Sequence, residues 1–379
     1  MKIQQKIWTE EKGWSPKFKG KADETVQLVF LFGAVPLLQK EPIFQTLKKH
    51  YPKAHVFGCS TAGEIYGTQV FDNSIVCTAV SFQFTQIKGE QVKLSKSIDS
   101  HLAGEMLAKS LNREGLAHIF TLSDGLNVNG SELVKGLSLN LPEGIKVTGG
   151  LAGDGGHFHE TLTFWDSAPQ KNTVAAIGFY GNRLKVGYGS LGGWDPFGPE
   201  RIITRSSGNI LYELDGKSAL ELYKKYLGEH ANGLPATGLL FPLSLRASEE
   251  QTGVVRTILA INEEDQSMTF AGDMPKGAYA RLMKANFDRL IDGAIGAAKT
   301  SYEAIGSFTP ELAILISCVG RKMVLKQRTE EEVEGVREIL GNSTILAGFY
   351  SYGEICPFTP DTKCELHNQT MTITIFSEE

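Results

Sequence analysis

The 379-residue chain has no CxxC pair: Cys59, Cys77, Cys318, Cys356 and Cys364 are odd in number and widely scattered. That excludes a disulfide framework and a zinc cluster, and reduced, buried thiols are expected. A basic block is missing too. Lysine plus arginine (38) fall below aspartate plus glutamate (43), and no cationic run could follow a phosphate backbone, so nucleic acid is not an expected partner. Long apolar runs are absent as well. The most apolar stretch, Val26 to Leu38, is too short to cross a bilayer and is broken by Gly33 and Pro36, so membrane insertion is not expected. Met1 to Lys12 mixes Lys2, Lys6, Glu10 and Glu11 with no apolar run behind it, which is not a leader pattern, and a cytoplasmic location is expected. The phosphate-loop spelling G-x-x-x-x-G-K-[ST] does not occur. Gly187-Tyr188-Gly189-Ser190-Leu191-Gly192 spells G-x-G-x-x-G, but Pro196 and Pro199 follow where a dinucleotide site must open a helix.

Glycine is what the chain has in excess, 41 residues against an average usage of about 7%. The remaining composition, 41% hydrophobic and 21% charged, is that of a globular protein with a sizeable core. The order of elements reads as α/β. An apolar strand at Val26 to Phe32 precedes a helix at Pro42 to His50 and a strand at Ala54 to Phe57. Strand, helix and strand recur at His118 to Leu122, Ser131 to Leu139 and Ile145 to Val147, and again at Leu312 to Ser317, Glu330 to Leu340 and Thr344 to Leu346. Each series runs into a glycine-rich turn ending in an acid: Gly58 to Gly63 with Glu64, Gly149 to Gly153 with Asp154, and Gly348 to Gly353 with Glu354. The first and third match as G-x-x-[ST]-x-G-E-I, which marks an internal repeat.

Strand pairs at Ser74 to Phe84 with Gln86 to Leu94, and at Val254 to Ile261 with Ser267 to Met283, precede the helices His101 to Leu111 and Phe287 to Tyr302. Each half of the chain thus reads as a unit of strand pair, helix, strand, helix, strand. A further pair, Thr173 to Gly181 with Leu184 to Gly189, leads to a loop at Gly192 to Pro199, and a short helix at Ser218 to Leu227 opens the second half. The expectation is a two-domain, internally repeated α/β fold with mixed sheets.

The turns are the leading site candidates. Glycine lets backbone N–H groups approach an anion, and Glu64, Asp154 and Glu354 suit an ammonium, so together they suit a zwitterion such as an amino acid. The alternative is that the glycines only allow close strand packing while the acids cap helices. Other readings are narrower. Cys59, between Gly58 and Ser60, resembles a nucleophile on a tight turn, with His50 and His55 nearby but no signature pairing them. His157-Phe158-His159-Glu160 offers metal-ligand chemistry without a further cluster. Cys356-Pro357, with His367 close in sequence, is a dipeptide in which a thiolate can hold haem.

At these residues the chain resembles the FIST family, named for F-box and intracellular signal transduction proteins. The matching stretches are Gly58 to Ile65, Ser123-Asp124-Gly125, Val147 to Asp154, Ser317-Cys318 with Gly320-Arg321, Gly348 to Ile355, and Leu366 to Met371, in family order. The resemblance implies a FIST N-domain over 26–216 and a FIST C-domain over 217–379, after an N-terminal extension, 1–25. It implies a small-ligand sensor, not an enzyme, with amino acids among the proposed ligands. Family members are often fused to methyl-accepting, kinase or cyclic-dinucleotide output domains. No length remains for one here, so a separate signalling partner is expected. Stand-alone bacterial members include haem proteins that sense nitric oxide and regulate a histidine kinase or cyclic-di-GMP enzyme, which makes haem a possible cofactor. Candidate ligand-binding residues are Cys59, Ser60, Thr61, Glu64, Gly149, Gly150, Asp154, Arg321, Tyr350, Tyr352, Glu354 and Asn368. Candidate haem ligands are His367, Cys356, His157 and His159.

Overall fold

In the computed structural model, which describes residues 1–248, 253–358 and 362–379, three six-stranded sheets share the order of five of their strands. Each is built on a parallel pair joined by a helix. Leu28–Gly33 pairs with His55–Ser60 across the helix Glu41–His50, and Leu116–Ser123 with Val147–Leu151 across Gly130–Asn140. Leu312–Cys318 pairs with Ile345–Ser351 across Thr329–Leu340. Both faces of these strands are covered, so nearly every residue in them is buried. An antiparallel strand, Ser74–Ser81, Thr173–Tyr180 or Met371–Glu378, lies against the first member of each pair. Beyond it lie Lys2–Thr9, Gln86–Lys93 and Leu184–Leu191.

The unit therefore occurs three times, and the units exchange strands. Thr163–Trp165 of the second unit pairs with His55–Ser60 in the first sheet, and Gly353–Pro357 of the third pairs with Val147–Leu151 in the second. Glu64–Tyr66 of the first pairs with Ile345–Ser351 in the third, closing the cycle. Glycine lets each parallel pair close up. Gly58, Gly149 and Gly348 stand in register with Leu31, Thr121 and Leu315, and a Cβ there would lie 1.9, 1.8 and 1.9 Å from that residue's carbonyl oxygen. The glycine-rich segments are thus strand ends in part, reaching Ser60, Leu151 and Ser351, and not turns throughout.

The inner faces of the three sheets share one phenylalanine-rich core. Phe30 meets Phe120 at 5.8 Å, Phe32 meets Phe349 at 4.7 Å and Phe179 meets Phe376 at 5.2 Å, so every sheet is tied to the others through aromatic rings. Helices cover the outer faces. Asn129 and Asn286 cap two of them with side-chain oxygens, which satisfies amide N–H groups left free at the first turn. No helix among the described residues is long and apolar enough to cross a membrane.

Two sequence expectations change here. The stretch Gly192 to Pro199, read as a loop, runs into the strand Asp195–Ser207, which pairs with Tyr279–Lys284. The expected pair Val254 to Ile261 with Ser267 to Met283 is four short strands of an inserted body, whose eight-stranded sheet has its own core around Leu211, Leu220, Tyr223 and Phe270. That insert separates Leu184–Leu191 from the helix Phe287–Ala304, which hides the third copy of the unit in the sequence.

Candidate functional site

The glycine-rich segments leave the carboxyl ends of the parallel strands, the end at which open α/β sheets bind ligands, and the strand exchange brings them together. Ala62 N–H donates to Tyr350 O (2.8 Å) and Tyr350 N–H to Gly63 O (2.8 Å), tying the first segment to the third. Gly153 N–H reaches Ser60 O (2.9 Å) and Gly155 N–H reaches Thr61 O (3.2 Å), tying the second to the first. Tyr352 N–H donates to Leu151 O (3.3 Å), so the three segments form a closed ring of backbone hydrogen bonds.

The acids sit differently from the open carboxylates the sequence suggested. Glu64 accepts from the Thr61 hydroxyl, and from Ser74 through its N–H (3.1 Å) and hydroxyl (2.7 Å). Glu354 repeats the arrangement with the Ser351 hydroxyl (2.6 Å) and the Thr370 N–H (3.2 Å) and hydroxyl (2.9 Å). Burial pushes Glu64 up to about 7 and Glu354 up to about 8 against the opposing pull of those bonds. Asp154 accepts from the N–H groups of Phe158 (2.8 Å), His159 (2.7 Å) and Glu160 (2.8 Å) and from the Tyr352 hydroxyl. Burial works to raise its pKa, but these bonds outweigh it and hold the carboxyl below its ordinary value. All three acids fasten protein segments and leave no bare carboxylate for an ammonium.

Arg321 is also engaged within the protein. Its guanidinium pairs with Glu332 (Nη2 to Oε2, 2.7 Å) and donates to Leu290 O (2.7 Å) and Gly192 O, and both charged side chains are fully buried. Glu332 also accepts from Tyr350 (2.7 Å) and Ser317 (2.9 Å), which places Tyr350 in the same network. Ser60 is buried and its hydroxyl accepts from Leu162 N–H (2.9 Å). Gly149 and Gly150 lie inside a strand. Tyr352 lies at the ring's outer rim, where its ring stacks on the exposed Phe158 at 4.5 Å. Lys322, which the sequence reading passed over, reaches across the ring to Ala62 O (3.0 Å) and Asp72 and lies over the Tyr350 ring. Its signal was position alone, one residue beyond the Gly320-Arg321 pair.

The nucleophile reading of Cys59 is corrected by its surroundings. The residue is 0% exposed and burial pushes its thiol well up, which disfavours the thiolate that would attack. The neighbouring histidines are turned to other partners, His50 stacked on Phe18 and His55 against Asp166. The haem candidates do not fit the group either. His367 is fully buried with Nε2 bonded to Cys356 O (2.7 Å), and burial lowers its pKa to about 4. Cys356 is buried with its thiol pushed well up, whereas His157 and His159 stand exposed on a loop. A cleft of about 480 Å³, lined by Leu38, Phe44, Lys48, Val56 and Asp166 among others, contains none of the four. No group of His, Cys, Asp and Glu suited to a metal ion occurs among the described residues.

Asn368 and Gln369 complete the site's inner wall. Both are fully buried, and among the described residues no side-chain nitrogen or oxygen of either has a hydrogen-bond partner. A buried polar group left in that state costs about 1–3 kcal/mol.

The family model of the FIST N domain matches residues 27–217, and that of the FIST C domain matches 219–357. An uncharacterized protein of Methanocaldococcus jannaschii is 23% identical over 336 residues, which is 81% of this chain and 62% of that protein, so the chain spans under two thirds of that relative. A chorismatase crystal structure overlaps 99% of this chain and 98% of its own at 10% identity and a TM-score of 0.36. A cyanuric acid hydrolase from A. caulinodans overlaps 78% and 99% at 11% identity and a TM-score of 0.18. Both overlaps are too loose to carry an argument.

Proposed function

The chain belongs to the FIST family, and from that premise we propose that it is a sensory module that binds a small polar molecule at the ring of strand ends and reports to a separate signalling protein. FIST domains suggest a sensory role in signal transduction, and the ring supports a binding site in this chain. One observation carries the reading: residues 60–64, 151–155 and 350–354 come from three units yet are bonded to one another at the carboxyl ends of their strands. A ligand held there touches all three units at once. Its differential affinity for two arrangements of the units is what a sensor converts into a change of partner affinity. A histidine kinase or a cyclic-di-GMP enzyme is the class of partner that fits this role. The reading is non-enzymatic, and it is consistent with the full burial of Cys59, whose thiol burial pushes well up.

The test is a thermal-shift screen of small polar metabolites, amino acids included, on the full chain, with hits repeated on Tyr352→Phe and Lys322→Met. Compounds that raise the wild-type Tm and lose that effect in either rim variant support the reading. Absence of any stabilising compound, or hits indifferent to both substitutions, overturns it.

A further inference from the structure

The ring contains two polar side chains with nothing to bond to. Asn368 and Gln369 follow the strand Cys364–His367 and precede Met371–Glu378, and both are 0% exposed. The backbone beside them is engaged: Gln369 O accepts from Trp194 Nε1 (2.8 Å), and the adjacent Thr370 N–H is held by Glu354. Their side chains are not: all four amide atoms lack a partner among the described residues. Gly320 and Gly353 face them. A Cβ at Gly320 would lie 2.4 Å from Gln369 Nε2 and 2.7 Å from Oε1, and one at Gly353 would lie 3.5 Å from Asn368 Nδ2. Two bare backbone stretches are therefore kept against two amide groups that offer donors and acceptors together.

Nearly all buried polar groups in folded proteins have partners, supplied by protein, water or ligand. The charged groups next to this pair are engaged, Arg321 by Glu332, the Glu354 oxygens by Ser351 and Thr370, and the buried Arg256 guanidinium by backbone carbonyls, Leu366 O (2.9 Å) among them. The two amides themselves offer no charge to an ammonium or a carboxylate, whereas a primary amide meets an uncharged N–H and C=O edge with both of its own atoms. We propose that Asn368 and Gln369 form the recognition edge for a small neutral ligand of the amide, imide or urea class, which deepens the sensor reading and rests on it. Gln369 is then a specificity residue, and charged ligands are excluded because a buried uncompensated charge is strongly unfavourable.

Hydantoin and acetamide are the probes, with glycine and acetate as charged counterparts, in thermal-shift titrations of the full-length chain. Wild type should gain Tm with hydantoin in a concentration-dependent, saturating manner and should ignore acetate. Asn368→Leu and Gln369→Met keep side-chain volume while removing the polar edge. They should melt no lower than wild type without probe, because no satisfied hydrogen bond is lost, and should show no gain with hydantoin. Variants that melt well below wild type without probe would overturn the proposal, since the amides would then be satisfied within the protein. Gain with glycine that survives in both variants would also overturn it while leaving the sensor reading intact, and no gain with either neutral probe would overturn the ligand class. Should the variants fail to fold, the side-chain NH₂ signals of wild-type Asn368 and Gln369 must shift with hydantoin in a nitrogen-15 spectrum, and unmoved signals would refute the contact.

Discussion

Raising the pH from 6.5 to 8.5 should destabilise the protein through two carboxyl groups. Glu64 and Glu354 are protonated more readily in the folded state, with values of about 7 and about 8 against 4.5. A raised folded pKa gives stability that is complete below the unfolded pKa and is lost as pH climbs through the folded one. Below pH 6.5 this loss is masked. Burial lowers His118 to about 3 and His367 to about 4, so those residues gain stability with rising pH over the same acidic range. Above pH 6.5 the unfolded histidines lose their remaining protons, which returns only about 0.4 kcal/mol for each, and the carboxyl effect is the larger. At 1.36 kcal/mol per pKa unit, the loss between pH 6.5 and 8.5 is about 1 kcal/mol from Glu64 and about 2 kcal/mol from Glu354. Urea unfolding at half-unit pH steps, with a constant slope, measures it directly. Glu354→Gln keeps the shape and should remove about two thirds of the carboxyl contribution, and the double variant with Glu64→Gln should abolish the decline. A wild-type stability that stays level from pH 6.5 to 8.5 would refute the burial argument for both residues.

Gly149→Ala or Gly348→Ala drives a Cβ to within 1.8 or 1.9 Å of a neighbouring carbonyl oxygen and should lose several kcal/mol; calorimetry showing a wild-type Tm for either would contradict the packing described within the parallel pairs. Arg321→Met leaves Glu332 buried without its counter-charge and should lose about 3–5 kcal/mol, with Arg321→Met/Glu332→Leu recovering part of it; a double-mutant cycle with no coupling would show that the pair is not interacting. Cys59, Cys77, Cys318 and Cys356 are buried and should react with a thiol reagent only after denaturation; a prompt reaction at Cys59 in the native protein would reopen the nucleophile reading. Asp154→Asn weakens the bonds that hold residues 158–160 and should raise amide exchange in that loop first; unchanged exchange there would show that the carboxylate does not pin it.

Much of the architecture was legible because it depends on local pattern. The parallel strands are continuous apolar runs and the helices between them carry periodic apolar faces, so Leu312–Cys318 and Thr329–Leu340 were found within a residue or two of their ends. The threefold character was half visible. Three acidic glycine segments stood out, yet the inserted body from Asp195 onward separates the first strand of the third unit from its helix and made the repeat look like two halves. The division expected at residue 216 falls inside that body, between Ile210–Leu214 and Lys217–Ser218. Strand exchange could not be read, since it depends on which sheet edge a three-residue strand such as Thr163–Trp165 reaches. The site residues divide along the same line. Residue types flagged Glu64, Asp154, Arg321 and Glu354, but only the fold shows that hydroxyls, backbone N–H groups and Glu332 already engage them. Gln369 went unremarked beside Asn368 because an amide looks ordinary in a sequence, and only its burial without a partner sets it apart.

Amide hydrogen exchange on the full chain, with and without a stabilising compound from the screen, tests the central claim most directly. Binding at the ring predicts that residues 60–64, 151–155 and 350–354 gain protection together, since one ligand touches strand ends from three units. Protection gained only in the inserted body, or in one unit while the other two stay unchanged, would contradict it.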